Sequence, residues 1–331
     1  MSAASAAAYT GVYFFGDSLT DVGNVQNVYA GLPHPPGAPA VIPGDPYDSQ
    51  GRASNGDLWA DGFAAGLGYS ATPSSIGGND YAYGGARTRY QVLGPPFLGI
   101  LDQVNAYTGL PGDAEAGALY VLWGGANNLQ DIIVGKTTDA LGNPVPGVGG
   151  TVSDLALAIQ TLYADGVRNL LVPNVPDLAL VPRVAEYGSA AQVAAYQLTL
   201  AFNSLLASAL VSLENSLAGL DIIEFDTYSA LYDIVGDPGA YGLSNVTNRC
   251  YTGDDVGFTG GGSVCADPDS YLFWDGIHPT SAVHGILADR MLVAVVPEPG
   301  PLLLIAIGLL GLAARPGRYR RLTISGPVSG R

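Results

Sequence analysis

The chain is short of several residue types, with one lysine (Lys136), three histidines, two cysteines and only 13% charged residues in 331 positions. Each shortage excludes something. A lone lysine outside any Gly-rich phosphate-binding motif rules out a loop of that kind. Thirteen basic residues against 29 acidic ones give a formal charge of −16, which repels nucleic acid and anionic lipid. The bases present are also unevenly placed. Residues 297 to 331 hold five of them (Arg315, Arg318, Arg320, Arg321, Arg331) and one acid, Glu298, leaving 8 bases against 28 acids in residues 1 to 296. The two cysteines, Cys250 and Cys265, bracket the Gly-rich stretch "CYTGDDVGFTGGGSVC". Zinc would need two further ligands at suitable spacing, so a disulfide is the better reading, with two free buried thiols as the alternative. A disulfide implies an oxidising compartment. There is no G-x-S-x-G, which excludes the nucleophile elbow.

With 48% hydrophobic residues the chain is globular, and its length lets it bury roughly three quarters of its unfolded surface. Apolar runs predict strands at 12–15, 119–123, 169–172 and 222–225. Helical spacing predicts helices over 58–67, 152–164, 190–217 and 282–293. This alternation implies an α/β layered fold with a mainly parallel sheet. Gly-, Pro- and Asn-rich segments at 31–56, 135–150 and 236–270 read as long loops. No linker divides residues 10 to 296. Gly66 to Ala71 fits a dinucleotide fingerprint in letters, but it follows a helix instead of a strand and is discounted.

Four stretches carry chemistry. "YFFGDSLTDVGN" runs an apolar strand into Gly16-Asp17-Ser18, placing Ser18 at the carboxyl edge of an open sheet, where such folds bind ligands. An isolated G-D-S is otherwise a capped turn, with Asp17, Asp21 and Asn24 fixing it through backbone hydrogen bonds. "FWDGIHPT" sets Asp275 three residues before His278. A carboxylate at that spacing can orient an imidazole, or simply cap a loop. His34 lies in a Pro-rich loop and His284 in a predicted helix, so His278 is the best-placed base near neutral pH. "YAYGGARTR" offers Gly84-Gly85, whose backbone N–H groups can approach a substrate closely. "LYVLWGGANNL" ends a strand at Gly124-Gly125 and puts Asn127 at the same sheet edge as Ser18.

Together with "RASNGDLWAD" and "VPNVPDLALVP", these stretches resemble the GDSL or SGNH hydrolases, specifically the phospholipase/lecithinase/hemolysin-like esterase branch, over residues 11 to 293. The resemblance implies a three-layer, flavodoxin-like α/β fold with helices flanking the sheet. It implies a serine esterase or lipase with Ser18 as nucleophile, His278 as base and Asp275 as its orienting carboxylate. The oxyanion hole it implies is formed by the N–H groups of Ser18 and Gly85 and the Asn127 side chain. Asn128 stands where an acid is commoner. No cofactor or metal is required. The pair Asp254-Asp255 reads as solvated turn residues, with calcium as the other option.

"VPEPGPLLLIAIGLLGLAARPGRYRR" joins a Pro-Glu-Pro break, thirteen mostly apolar residues and an arginine cluster. At 1.5 Å per residue the apolar run reaches about 20 Å, short of a roughly 30 Å hydrocarbon core. The arrangement resembles the PEP-CTERM sorting signal of Gram-negative bacteria, which an exosortase processes at the membrane. Ten further residues after Arg321 depart from the usual pattern. The expected organisation is a hydrolase domain at 10–296 and a sorting tail at 297–331 with a short hydrophobic membrane helix. The expected location is the cell envelope or outside. The first fifteen residues lack an export signal, from which an upstream start is expected. The substrate is an ester of a lipid or an acylated glycan. A deacetylase of exopolysaccharide and a non-catalytic surface protein are the competing readings.

Overall fold

The computed structural model describes residues 9 to 296 except 113 and 140. The sorting tail, its apolar helix and the N-terminal start lie outside the described residues. The elements run in the order β1 (Val12–Gly16), α1 (Asn24–Ala30), α2 (Trp59–Gly66), α3 (Ile100–Thr108), β2 (Leu119–Trp123), α4 (Ala126–Ile133), α5 (Val148–Ala164) and β3 (Asn169–Pro173). They continue with α6 (Pro182–Glu186), α7 (Ser189–Ser216), β4 (Asp221–Phe225), α8 (Thr227–Gly236), β5 (Asn245–Arg249), β6 (Tyr271–Phe273) and α9 (Ser281–Val295).

β1 to β4 form a parallel sheet in the order β1-β2-β3-β4. Because side chains alternate across a strand, Phe14, Val121 and Leu171 meet Trp59 and Phe63 of α2 and Met291 of α9 on one face. Phe15, Tyr120, Leu122 and Val172 meet Ile100 of α3, Ile159 of α5 and Phe202 of α7 on the other. β1 to β3 are covered on both faces and read as nearly unbroken apolar runs; the edge strand β4 is largely exposed and was visible through Ile222, Ile223 and Phe225. The free edge of β1 is covered by residues 79 to 83. Phe14 N–H donates to Asn79 O (3.0 Å), Tyr81 N–H to Phe14 O (2.8 Å) and Tyr83 N–H to Gly16 O (3.3 Å).

The expected loop at 236–270 is a loop only in part. It contains β5, which pairs in parallel with β6 as a small second sheet. β5 reads Asn-Val-Thr-Asn-Arg and lies half exposed, so no apolar run announces it. α5 begins four residues earlier than its apolar spacing indicated, through the Gly-rich turn "VGGT". α1, α3, α4, α6 and α8 are short helices in segments to which the sequence reading assigned no element; each follows a glycine, valine or aspartate cap.

Candidate active site

β1 stops at Gly16, where a Cβ would stand 2.7 Å from Trp123 O on the neighbouring strand. The next turn closes on Asp17, whose carbonyl accepts the N–H groups of Thr20 and Asp21 (both 3.0 Å). Asp17 Oδ1 caps Leu19 N–H (3.1 Å). Asp21 accepts four backbone N–H groups, from Gly23 (2.9 Å), Asn24 (2.5 Å), Val25 (3.1 Å) and, across the site, Gly84 (2.8 Å). Asn24 donates to Asp80 O and Ala82 O, tying the same turn to the segment beside β1. Asp17 and Asp21 therefore shape the turn, as expected. Burial pushes both carboxyls up to about 6, against the pull of the N–H groups they accept and, for Asp17, the charges of His278 and Arg87.

Ser18 Oγ lies 2.8 Å from His278 Nε2, and His278 Nδ1 lies 2.6 Å from Asp275 Oδ2. Asp275 is fully buried, and its Oδ1 accepts Ile277 and His278 N–H (both 2.8 Å). Burial acts to raise its pKa, but the charge of His278, its ring hydrogen bond and these two N–H groups outweigh burial and hold the carboxyl below its ordinary value. Tyr47 OH donates to Asp275 Oδ2 (2.8 Å) from 228 residues away. Burial and the neighbouring Asp275 raise the Tyr47 phenol, so it stays a donor.

The turn between Asp275 and His278 is clamped from outside. Gly276 N–H donates to Asp255 Oδ2 (2.7 Å) and Arg183 N–H to Gly276 O (2.8 Å). Asp255 also pairs with Arg183 (3.0 Å) and Arg249 (3.3 Å). It is thus buried and engaged by two guanidinium groups, correcting its reading as a solvated turn residue. Asp254 keeps a turn role, accepting Val256, Gly257 and Thr259 N–H. Cys250 and Cys265 form a disulfide, closing this loop beside the His278 segment, where Tyr251 N–H donates to Trp274 O (2.6 Å).

The candidate oxyanion residues, Ser18, Gly85 and Asn127, line one cavity. Gly85 has φ +80°, a left-handed geometry that favours glycine, and a Cβ there would lie 2.8 Å from Val92. The two peptides around it are fixed. Asp21 takes Gly84 N–H (2.8 Å), Gln91 donates to Gly84 O, and Arg87 Nη1, held by Asp131, donates to Gly85 O (2.7 Å). Among the described residues, the N–H groups of Ser18 and Gly85 donate to no protein acceptor. Asn127, in the first turn of α4, donates through Nδ2 to Ala86 O (3.0 Å) and to Asp17 Oδ2 (3.3 Å). Asn128 is buried on Thr88 (3.1 Å to its N–H) and points away from the cavity. Ser18, Gly84, Gly85, Asn127 and His278 all line one cavity of about 350 Å³.

The other two histidines stand apart. His34 is exposed against the Tyr29 ring. His284 is buried in α9, where burial and the charge of His278 push it down to about 3. Sequence reasoning missed Tyr47, Arg87 and Asp255 as supports. The only signal for Tyr47 was its place in the long loop at 31–56.

The parallel sheet flanked by helices, with these groups gathered at its carboxyl edge, makes this an α/β protein with a candidate active site. The family follows from sequence: the model of the GDSL-like Lipase/Acylhydrolase family matches residues 12–291, and the chain belongs to it. It is a hydrolase acting on esters. A PEP-CTERM protein-sorting motif matches residues 295–321 and points to export to the cell envelope. One GDSL esterase/lipase of Arabidopsis thaliana is 25% identical over 330 residues, 86% of this chain and 88% of that protein. Another from the same plant is 27% identical over 349 residues, 88% of this chain and 87% of that one. Among solved structures, an α/β hydrolase enzyme from the Lake Arreo metagenome gives a TM-score of 0.47 at 13% identity, covering 87% of this chain and 95% of that one. A carbohydrate acetylesterase from Sinorhizobium meliloti gives 0.41 at 15%, covering 86% and 98%.

Proposed function

We propose that this hydrolase is a serine esterase working through Ser18, His278 and Asp275. The observation that carries the reading is the unbroken line from Ser18 Oγ through His278 to Asp275, with contacts of 2.8 and 2.6 Å. His278 Nε2 takes the Ser18 proton as Oγ attacks the ester carbonyl. Asp275 holds the ring with Nδ1–H toward itself and stabilises the imidazolium that forms. The carbonyl oxygen becomes an oxyanion facing the free N–H groups of Ser18 and Gly85. Asn127 joins them by turning its amide from Asp17, the longer of its two bonds. His278 then protonates the leaving alcohol, giving an acyl-enzyme, and activates the water that releases the acid.

In this reading residues 10 to 296 are the catalytic domain and 297 to 331 the sorting tail. The tail would be processed by an exosortase-type enzyme at the membrane of a Gram-negative cell. Support for that part is the sorting motif itself.

The test is hydrolysis of p-nitrophenyl butyrate by the full chain and by Ser18→Ala. Turnover should fall at least about 10³-fold in the variant with an unchanged melting profile. Equal rates in the two proteins would sink the reading and favour a binding protein or another substrate, such as an acetylated exopolysaccharide.

A further inference from the structure

The cavity beside Ser18 has a chemical character that narrows the ester. Its walls are Val25, Tyr29, Ile42, Val92, Val256 and Phe258. Four charged side chains reach it, and each is engaged within the protein. Asp21 holds backbone N–H groups, Arg87 pairs with Asp131, and Arg183 pairs with Asp255. No cation is left to receive a phosphate or a sugar carboxylate, and few polar groups face a glycan. A wall of this kind suits a hydrocarbon chain.

The size of the cavity separates an acyl chain from an acetyl group. About 350 Å³, at about 30 Å³ per water-sized group, holds on the order of twelve such groups. An acetyl ester would leave most of this volume unfilled. An ester carbonyl with the first atoms of its alcohol leaves room for an acyl chain of about six to ten carbons.

One lining residue stands out: Val92 and Val256 are exposed, whereas Phe258 is half-buried. Phe258 sits on the disulfide-closed loop with φ +54°, the one non-glycine residue with positive φ among the described residues. A bulky side chain there is uncommon and is held by its surroundings. Phe258 packs on the Val25–Ile42 cluster from one side and on the Tyr47 ring from the other (5.3 Å between centroids). The same ring of Tyr47 bonds Asp275 through its hydroxyl.

Resting on the serine-esterase reading, we propose that this cavity is an acyl-chain subsite for medium-chain carboxylic esters, with Phe258 as the wall that sets the chain length. The full chain is assayed on p-nitrophenyl acetate, butyrate, hexanoate, octanoate, decanoate and palmitate, as wild type, Phe258→Ala, Val256→Trp and Ser18→Ala. Wild-type kcat/KM should climb up to about fourfold per methylene to a maximum between hexanoate and decanoate, and fall at palmitate. Phe258→Ala should raise the palmitate-to-octanoate ratio about fivefold or more, and Val256→Trp should lower the decanoate-to-butyrate ratio. These ratios are internal to each variant, so partial loss of folded protein cancels. Ser18-dependent turnover that is fastest on acetate would overturn the proposal while leaving the esterase intact. An unmoved optimum in both variants would remove Phe258 and the loop from it. A wild type no faster than Ser18→Ala on every ester would bring down the esterase reading and this subsite together.

Discussion

The two side chains proposed to react, Ser18 and His278, are held by unlike means. Ser18 stands on a turn built from hydrogen bonds to buried carboxylates, with Asp17 and Asp21 gripping backbone N–H groups and Asp80 receiving Val22 N–H (2.8 Å). His278 stands on a loop braced by a tyrosine hydroxyl, two arginine pairs and a disulfide. The first support is electrostatic and answers to protons. The second joins ion pairs to a covalent link, and answers to reductant.

The largest test of the contrast is on the serine side. Asn127→Ala should lower kcat about 10²–10³-fold, as loss of one oxyanion donor does, with little change in melting temperature. A loss below about fivefold would show that the amide stays with Asp17 and Ala86 during turnover.

Next comes the clamp. Replacing both Cys250 and Cys265 by alanine opens a loop with a sequence separation of 15, which the chain-entropy account values at about 3 kcal/mol. Activity and the thermal midpoint should fall together, and reductant should reproduce the loss in wild type but not in the variant. A variant equal to wild type would place the bracing in the Asp255 pairs alone.

The carboxylate side should show itself in pH. Burial pushes the Asp17 carboxyl from its ordinary 3.8 up to about 6, so its charged form destabilises the fold. That cost is fully present above about pH 6 and disappears as pH falls through 6 toward 4. Asp17→Asn should therefore gain on wild type by on the order of 2–3 kcal/mol between pH 4 and pH 7, read from denaturant midpoints. A gap constant with pH would show that Asp17 is not a buried titrating group.

The smallest effect is expected from Tyr47→Phe, about tenfold in kcat with KM unchanged. Removing its hydroxyl takes away one of the two partners of Asp275 Oδ2 and loosens the carboxylate that holds the His278 ring. An unchanged kcat would make Tyr47 a packing residue only.

The parts legible in sequence share a physical cause. β1 to β3 were visible because burial on both faces demands apolar residues nearly throughout, and the more exposed β4 was visible through Ile222, Ile223 and Phe225. Ser18, His278 and Asp275 were visible because each sits in a short local motif. The supports were not, since their partners come from far along the chain: Tyr47 reaches Asp275 across 228 residues and Arg87 reaches Asp131 across 44. Asp255 was misread for the same reason, as nothing near it in sequence announces Arg183. β5 escaped because its alternating polar residues cover a small, half-exposed sheet.

The segment that covers the edge of β1 acts as a ruler. Tyr83 N–H is bonded to Gly16 O; two residues beyond Gly16 is Ser18, the proposed nucleophile, and two residues beyond Tyr83 is Gly85, the proposed oxyanion glycine. Both arms are the same length, measured from one shared rung. One residue added to either arm would displace its end by about 3.3 Å, more than the length of a hydrogen bond. Length changes in distant loops leave this rung untouched, so in natural variation of this chain the spacings Gly16 to Ser18 and Tyr83 to Gly85 are expected to stay constant while the loops between them change freely.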